Sequence, residues 1–371
     1  MTVPQRLPAS LTALDVALAA LLRGLAPSAV VELPLGEALG CVSAGLTPLA
    51  AYPPCDVAVA DGWAVRALDL VGASSYAPLQ LMSARWVEAG DRMPSGSDCV
   101  IDADSVEQTG SIIQVMTEAI PGQGVRRSGG DIAEGFLVAS GSVLRPLDLL
   151  IARAAGLEKV RVRRPRLRIV NVPAANGEVT AARLIAESAL SAGAQVILAE
   201  AASRDADAIA AELEIAACDL LVVVGGSGVG RLDATIVALG RRGEVIAHGI
   251  ALRPGRTSAI GRIANTPVIA VPGSADQALA AWLTLALPAL DRLSGRQARR
   301  TTVLPLARKI ASSVGIAEIA LLGRRDDTWA PLALGDLPYA ALVGADGWLA
   351  VPGNSEGFAA GTPVAAYMMR S

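Results

Sequence analysis

The spacing of apolar residues changes along this chain, and each change predicts a different kind of structure. Near the N terminus Leu11, Leu14, Val16, Leu18, Leu21 and Leu22 recur at helical intervals behind Ser10, which predicts an N-terminal helix within residues 1–24 with Ser10 as its cap. From Val30 to Val143 the apolar stretches become short and alternating. Gly, Pro and Asp break them, as in Ala50-Ala51-Tyr52-Pro53-Pro54 and Met93-Pro94-Ser95-Gly96-Ser97-Asp98, the texture of short strands joined by tight turns. Arg145–Gly156 reads as a helix, with Pro146 near its start and Gly156 at its end.

After Pro165 strand and helix patterns alternate. Strands are predicted at Leu167–Val172, Gln195–Glu200, Asp219–Val224, Val245–Ala247 and Pro267–Val271. Helices are predicted at Thr180–Gly193, Arg204–Ala217, from about Asp233, and over Ala275–Leu293. This order implies an α/β multidomain chain whose central unit is a mostly parallel, doubly wound sheet. Arg296–Thr302 is a basic, polar joint, and Val303–Ser371 returns to the short strands and Gly/Pro turns of a small β domain. The run Arg161, Arg163, Arg164, Arg166 and Arg168 alternates with Val and Leu, as a solvated strand face does.

Composition narrows the chemistry. The 371 residues suffice for two or three domains; 52% are hydrophobic but only 3% aromatic, so Ala, Val, Leu and Ile must build the cores. His248 is the single histidine, which excludes a multi-histidine metal site or a histidine triad. Cys41, Cys55, Cys99 and Cys218 are scattered without a CxxC pair and read as small buried hydrophobes. A net charge of −3 argues against nucleic-acid binding through phosphate neutralisation. Met1–Leu25 lacks the pattern of a signal peptide and no apolar run is long enough to span a bilayer, so a cytoplasmic protein without membrane or nucleic-acid partners is expected.

Chemistry is therefore left to carboxylates, arginines, hydroxyls and backbone amides. Gly225-Gly226-Ser227-Gly228-Val229-Gly230 follows the most apolar strand and precedes a helix, a setting in which glycine backbone converges amides on phosphate or another oxyanion. A packing connector is the alternative; the spacing lacks the third glycine of a dinucleotide fingerprint. Asp233 is placed to hold a cation beside a bound phosphate, to cap the next helix, or both. Arg253-Pro254-Gly255-Arg256 sets two guanidiniums about a turn, suited to an oxyanion or simply to solvent. Pro272-Gly273-Ser274 is a second loop at a strand C-terminal end, where ligands collect in open α/β sheets.

These stretches resemble one family when taken in order. Ala60-Asp61-Gly62-Trp63-Ala64-Val65, Met93–Val100, Val125-Arg126-Arg127-Ser128-Gly129-Gly130-Asp131-Ile132 and Arg164-Pro165-Arg166 match it in the first half. The glycine loop with Asp233, His248–Arg256, Pro272-Gly273-Ser274 and Ala345–Leu349 through Gly361–Val364 continue the match. Collinear over nearly the whole chain, they resemble the molybdopterin molybdenumtransferases, MoeA and its relative the gephyrin E domain. The resemblance implies an elongated homodimer of four subdomains that uses Mg²⁺ to insert molybdate into adenylylated molybdopterin with release of AMP. It implies a linking subdomain of residues 25–45 and 125–163, a shortened β-rich subdomain of 46–124, a MogA-like α/β molybdopterin-binding subdomain of 164–296 and a C-terminal β-barrel-like domain of 297–371. It implies catalytic roles for Asp61, Arg126, Asp131 and Asp233, the first three reaching the site from the partner chain. Gly225, Gly226, Ser227, Gly228, Arg253, Arg256, Pro272, Gly273 and Ser274 would bind the pterin nucleotide and molybdate, with Asp233 on Mg²⁺.

The chain departs from the family at one place that matters for metal. Where the resemblance implies a Thr-Gly-Asp-Glu-Leu turn, the strand ends in Pro173-Ala174-Ala175-Asn176, and Glu178 is the nearest carboxylate. Paired lysines are replaced by Arg253 and Arg256, in a chain with 30 arginines and 2 lysines, and a PGNP turn by Pro272-Gly273-Ser274-Ala275. Two functions follow as expectations: an active insertase, or a catalytically degenerate relative that binds molybdopterin cofactor and delivers it to a client molybdoenzyme.

Overall fold

A computed structural model of the chain describes residues 5–46, 48–109, 112–135, 138–174, 177, 179–216 and 218–369. The stretch of alternating strand and helix patterns forms a six-stranded sheet. Its spatial order is Gln195–Glu200, Arg166–Asn171, Leu220–Val224, Thr266–Val271, Ala259–Ile263 and Glu244–His248. The first four strands run parallel, and Ala259–Ile263 runs antiparallel to both its neighbours, Thr266–Val271 and Glu244–His248. Leu167, Ile169, Leu220, Val222 and Ile269 face one core, and Val170, Leu221, Val223, Val268 and Ala270 face another. Strands covered on both faces need such near-continuous apolar runs. Helix Thr180–Ser191 and the long helical stretch from Ala275 to Ser294 cover the first face. Helices Ala206–Glu212 and Thr235–Arg242 cover the second.

Three helices differ from the pattern, each for a local reason. The helix predicted over Arg204–Ala217 spans Ala206–Glu212, because the Asp205 carboxylate accepts the amides of Asp207 and Ala208 at 3.1 and 2.9 Å and fixes the start there. Arg204 is thereby left in the preceding loop; Ala217 lies outside the described residues. The N-terminal helix begins at Leu14 with Ala13 at the cap position, so Ser10 does not cap it. Thr12–Ala13 is instead a short strand parallel to Ile250–Ala251. The helix predicted over Ala275–Leu293 widens into a π turn at Trp282–Ala286 before resuming as Leu287–Ser294. Pro288 has no N–H for the carbonyl one turn back, and a wider turn accommodates its ring.

The C-terminal strands do not form a sheet by themselves. Ala317–Arg325 pairs with Ile250–Arg253, which pairs in turn with Thr12–Ala13. The path continues through Gly347–Val351, Pro363–Met368 and Thr301–Pro305, with Thr328–Leu334 on the free side of Ala317–Arg325. One apolar core consequently runs from Leu21 through Ile250 and Leu252 to Ile319 and Leu321. A strand from the middle of the sequence thus ties the α/β unit to the C-terminal sheet.

Residues 30–163 form small sheets, as the broken apolar pattern predicts. Lys159–Arg163 lies between Val30–Pro34 and Val42–Ser43, with Val160 and Val162 buried and Arg161 exposed. Gly62–Val65 lies between Arg85–Val87 and Cys99–Ile101, and Val57–Ala58 pairs with Val125–Arg126. Helix Pro146–Ala154 has proline in its first turn, and Asp148 accepts the Arg145 amide and guanidinium at 2.8 and 3.0 Å. The Arg145 guanidinium holds the Asp148 carboxyl below the usual range. No helix among the described residues is long and apolar enough to cross a membrane.

Cys41, Cys99 and Cys218 are buried and Cys55 is half-buried. Burial pushes the thiols of Cys99 and Cys218 up to about 11 and also raises that of Cys41. Because the thiolate is the reactive form, native protein at pH 8 is expected to react rapidly at Cys55 alone, the other three following only on unfolding. Mass-spectrometric counting of alkylated cysteines checks this; rapid labelling of Cys99 or Cys218 would contradict their burial.

Candidate functional site

The C-terminal ends of the four parallel strands deliver loops to one pocket of about 210 Å³. Val172 and Ala174 follow strand Arg166–Asn171, and Arg204 follows Gln195–Glu200. Gly225 to Gly228 and Asp233 follow Leu220–Val224, while Pro272, Gly273, Ser274 and Gln277 follow Thr266–Val271. Thr257 enters from the turn before Ala259–Ile263. The chain leaves Arg166–Asn171 to add a strand on one side, then returns to add Leu220–Val224 on the other. A crevice opens at such a switch point because successive connections depart to opposite faces.

The glycine loop is held by its carbonyls. Thr235 Oγ1 donates to Gly225 O at 2.8 Å, and Gln5 Nε2 donates to Gly226 O and Gly228 O at 3.0 and 2.8 Å. His248 Nε2 lies 2.9 Å from Ser227 O, and Gln5 Oε1 accepts the Ile236 amide at 2.7 Å. The Gly225 amide donates to Val271 O at 2.9 Å, whereas those of Gly226, Ser227 and Gly228 have no acceptor among the described residues. With carbonyls engaged by protein and amides left free, the loop is a concavity of donors, the geometry that binds anions. Glycine is required here: Gly226 has φ +66°, and a Cβ on it would stand 2.5 Å from Thr235 Oγ1.

The side chains lining the pocket add to this donor excess. Ser227 is fully buried, yet its Oγ has no partner among the described residues; the same holds for the buried Arg204 Nε and Asn171 Nδ2. Asn171 sits at the end of its strand, opposite Val224 in register. A buried polar atom left unpaired costs about 1–3 kcal/mol, so the two that belong to the pocket's lining residues, Ser227 Oγ and Arg204 Nε, call for a ligand; Asn171 does not line the pocket.

Asp233 is the one carboxylate lining the pocket among the described residues, and it does not cap the following helix, whose cap position is Ala234. Its Oδ2 accepts the Gly230 amide at 2.9 Å and its Oδ1 accepts Arg204 Nη2 at 3.0 Å. Among the described residues no group of three or more His, Cys, Asp and Glu is arranged to hold a metal. Ala174 lines the wall where the resemblance implied an acid, while Ala175 and Glu178 lie outside the described residues. A resident Mg²⁺ takes one or two carboxylates besides phosphate oxygens and water; the described residues offer Asp233 alone, and each of its oxygens already accepts a hydrogen bond, so by themselves they do not fit one.

Of the residues singled out in the sequence, Gly225, Gly226, Ser227, Gly228, Asp233, Pro272, Gly273 and Ser274 meet in this pocket. Arg253 and Arg256 do not line it. Arg253 stands opposite Glu318 in register and donates to its Oε1 at 3.3 Å, while Glu318 is buried and also accepts Ser312 Oγ and the Ser313 amide. Arg256 is exposed. Asp61, Arg126 and Asp131 lie on the small sheets and do not line the pocket either. Arg126 pairs with Asp131 at 3.1 Å, Asp61 Oδ1 accepts the Ala89 amide at 2.8 Å, and the Val125–Ala58 pairing brings the two stretches alongside.

Arg204, Gln5 and Thr235 escaped the sequence reading. For Arg204 a signal existed: Asp205 before Ala206-Asp207-Ala208 is a capping pattern that shortens the helix and frees the arginine. For Gln5 none did, because its partners lie more than 220 residues away.

Comparison with known proteins adds an independent finding. Residues 12–156 match the family described as MoeA N-terminal region (domain I and II), and residues 172–292 match the probable molybdopterin binding domain. A Mycobacterium tuberculosis protein named molybdopterin molybdenumtransferase 2 is 28% identical over 310 residues, covering 71% of this chain and 75% of its own. A putative molybdopterin biosynthesis protein of Methanocaldococcus jannaschii is 24% identical over 376 residues, covering 92% of each. The crystal structure of a molybdopterin biosynthesis MoeA protein from Pyrococcus horikoshii superposes with a TM-score of 0.71 at 25% identity, covering 98% of this chain and 100% of its own.

Replacing Gln5 tests the loop's support. Gln5→Ala removes bonds to two loop carbonyls and one amide; the expected cost is about 1–3 kcal/mol in urea unfolding, with faster hydrogen exchange at the Ile236 amide. Unchanged exchange there would show that the loop does not depend on Gln5.

Proposed function

The chain belongs to the MoeA family, and on that footing we propose that its pocket holds the phosphate end of adenylylated molybdopterin while molybdate passes to the dithiolene and AMP leaves. Work in molybdenum-cofactor biosynthesis, of the molybdopterin molybdenumtransferase kind, is the broader statement that the family and the named relatives support. The observation that carries the pocket's part is the excess of unpaired donors among its lining residues. The free amides of Gly226, Ser227 and Gly228, with Ser227 Oγ and Arg204 Nε, all seek an acceptor. Catalysis would be positional and electrostatic, with donors fixed in advance around developing oxyanion charge.

In this reading the working unit is a homodimer in the cytoplasm. Asp61, Arg126 and Asp131 do not line the pocket of their own chain, and the reading brings those of the partner subunit to it. Arg253 and Arg256 precede the pocket's Thr257 in one turn; Arg256, exposed beside it, would meet the outer part of the ligand, while Arg253 is held by Glu318. No step is assigned to Mg²⁺: Asp233 is the single described carboxylate at the pocket, and both its oxygens are already engaged by the protein.

A second reading, a carrier that holds the cofactor for a client molybdoenzyme without turnover, is favoured by Ala174 in the pocket wall in place of an acid. Incubation with adenylylated molybdopterin and molybdate, with AMP measured by chromatography, separates the two. Stoichiometric AMP release is expected of the insertase, and tight pterin-nucleotide retention without AMP would leave the carrier. Failure to bind the nucleotide would overturn both. An Asp131→Asn variant is expected to lower AMP release at least tenfold while leaving nucleotide binding to the α/β pocket within about twofold.

A further inference from the structure

We infer that Arg204, locked to Asp233, is the pocket's built-in cation and lets it bind the ligand's phosphate without a divalent metal. This rests on reading the pocket as an anion site and goes beyond it by naming the source of positive charge. Arg204 belongs to no motif read from the sequence. It enters because Asp205 caps the next helix and leaves the arginine at the strand's C-terminal end.

The geometry is specific. Arg204 Nη2 donates to Asp233 Oδ1 at 3.0 Å, and Asp233 Oδ2 accepts the Gly230 amide at 2.9 Å, so both oxygens of the carboxylate are already engaged by the protein. The pairing also fixes the guanidinium plane. Arg204 Nε, another nitrogen of the same guanidinium, is buried and has no partner among the described residues, and Arg204 lines the pocket. Ser227, fully buried with its own Oγ unpartnered, lines the same pocket. A guanidinium held through one nitrogen, with a second N–H left unpaired, is prepared to donate to a phosphate oxygen with little further ordering.

Charge supports the same assignment. A carboxylate alone among loop amides would repel a phosphate. Paired with Arg204 it is neutralised, and the free amides and Nε–H then meet a phosphate with no net negative charge beside them. The metal's two tasks, cancelling carboxylate charge and attracting phosphate oxygens, fall to one side chain.

Titration calorimetry of the full-length protein with AMP, run in EDTA and again in millimolar Mg²⁺, tests this. AMP is expected to bind in EDTA, with Mg²⁺ changing its affinity by less than about twofold. Arg204→Met is expected to weaken AMP binding in EDTA at least tenfold, and Mg²⁺ to recover part of the loss through the freed Asp233 carboxylate. Arg204→Lys, which keeps charge but not the fork, should fall between. Circular dichroism melting of each variant separates misfolding from lost binding, and an Arg204→Met protein that melts like the parent but binds AMP normally would overturn the inference. AMP binding that appears only with Mg²⁺ would overturn it while leaving the anion pocket intact. No binding under either condition would remove the anion pocket as well.

Discussion

The carbonyl groups of the glycine loop decide what its pocket can do. A peptide unit offers a donor and an acceptor together, so a loop presents a surface of donors only if its acceptors are paired elsewhere. Here Thr235, Gln5 and His248 take the carbonyls from Gly225 to Gly228, and each comes from a different part of the chain. His248, the single histidine, therefore serves the loop's conformation. The N-terminal segment, the helix after the loop and an edge strand of the sheet must all be in place before the amides can face a ligand.

The same segments join the units of the molecule. Ile250–Arg253 leaves the α/β region to pair with the C-terminal sheet, and the N-terminal stretch that delivers Gln5 pairs with it at Thr12–Ala13. Arg253 follows from this arrangement. Its cross-strand neighbour Glu318 is buried, and a buried carboxylate needs a partner, so the guanidinium is drawn toward the C-terminal sheet. The Arg-Pro-Gly-Arg turn thus serves as a joint as well as a flank of the pocket.

Charge in the pocket is organised around one ion pair. Loss of acidic residues from a phosphate site looks like loss of function when metal is assumed to supply the positive charge. With Arg204 on Asp233 a positive charge is supplied by the protein itself, and Ala174 in the wall adds no second carboxylate.

The sequence alone determined the central sheet, because apolar runs and amphipathic helices are set by residues close together in the chain. Gly225–Gly228 and Pro272–Ser274 could be placed at strand ends for the same reason: glycine and proline limit backbone conformation locally. Tertiary structure decided the rest. Only folding brings Gln5 to Gly226, sets Arg253 opposite Glu318 and turns Asp233 from a helix cap into the partner of Arg204. Each is a pairing between groups distant in sequence, settled by which buried donor or acceptor lacked a nearer partner, and no local pattern of apolar and polar residues encodes that.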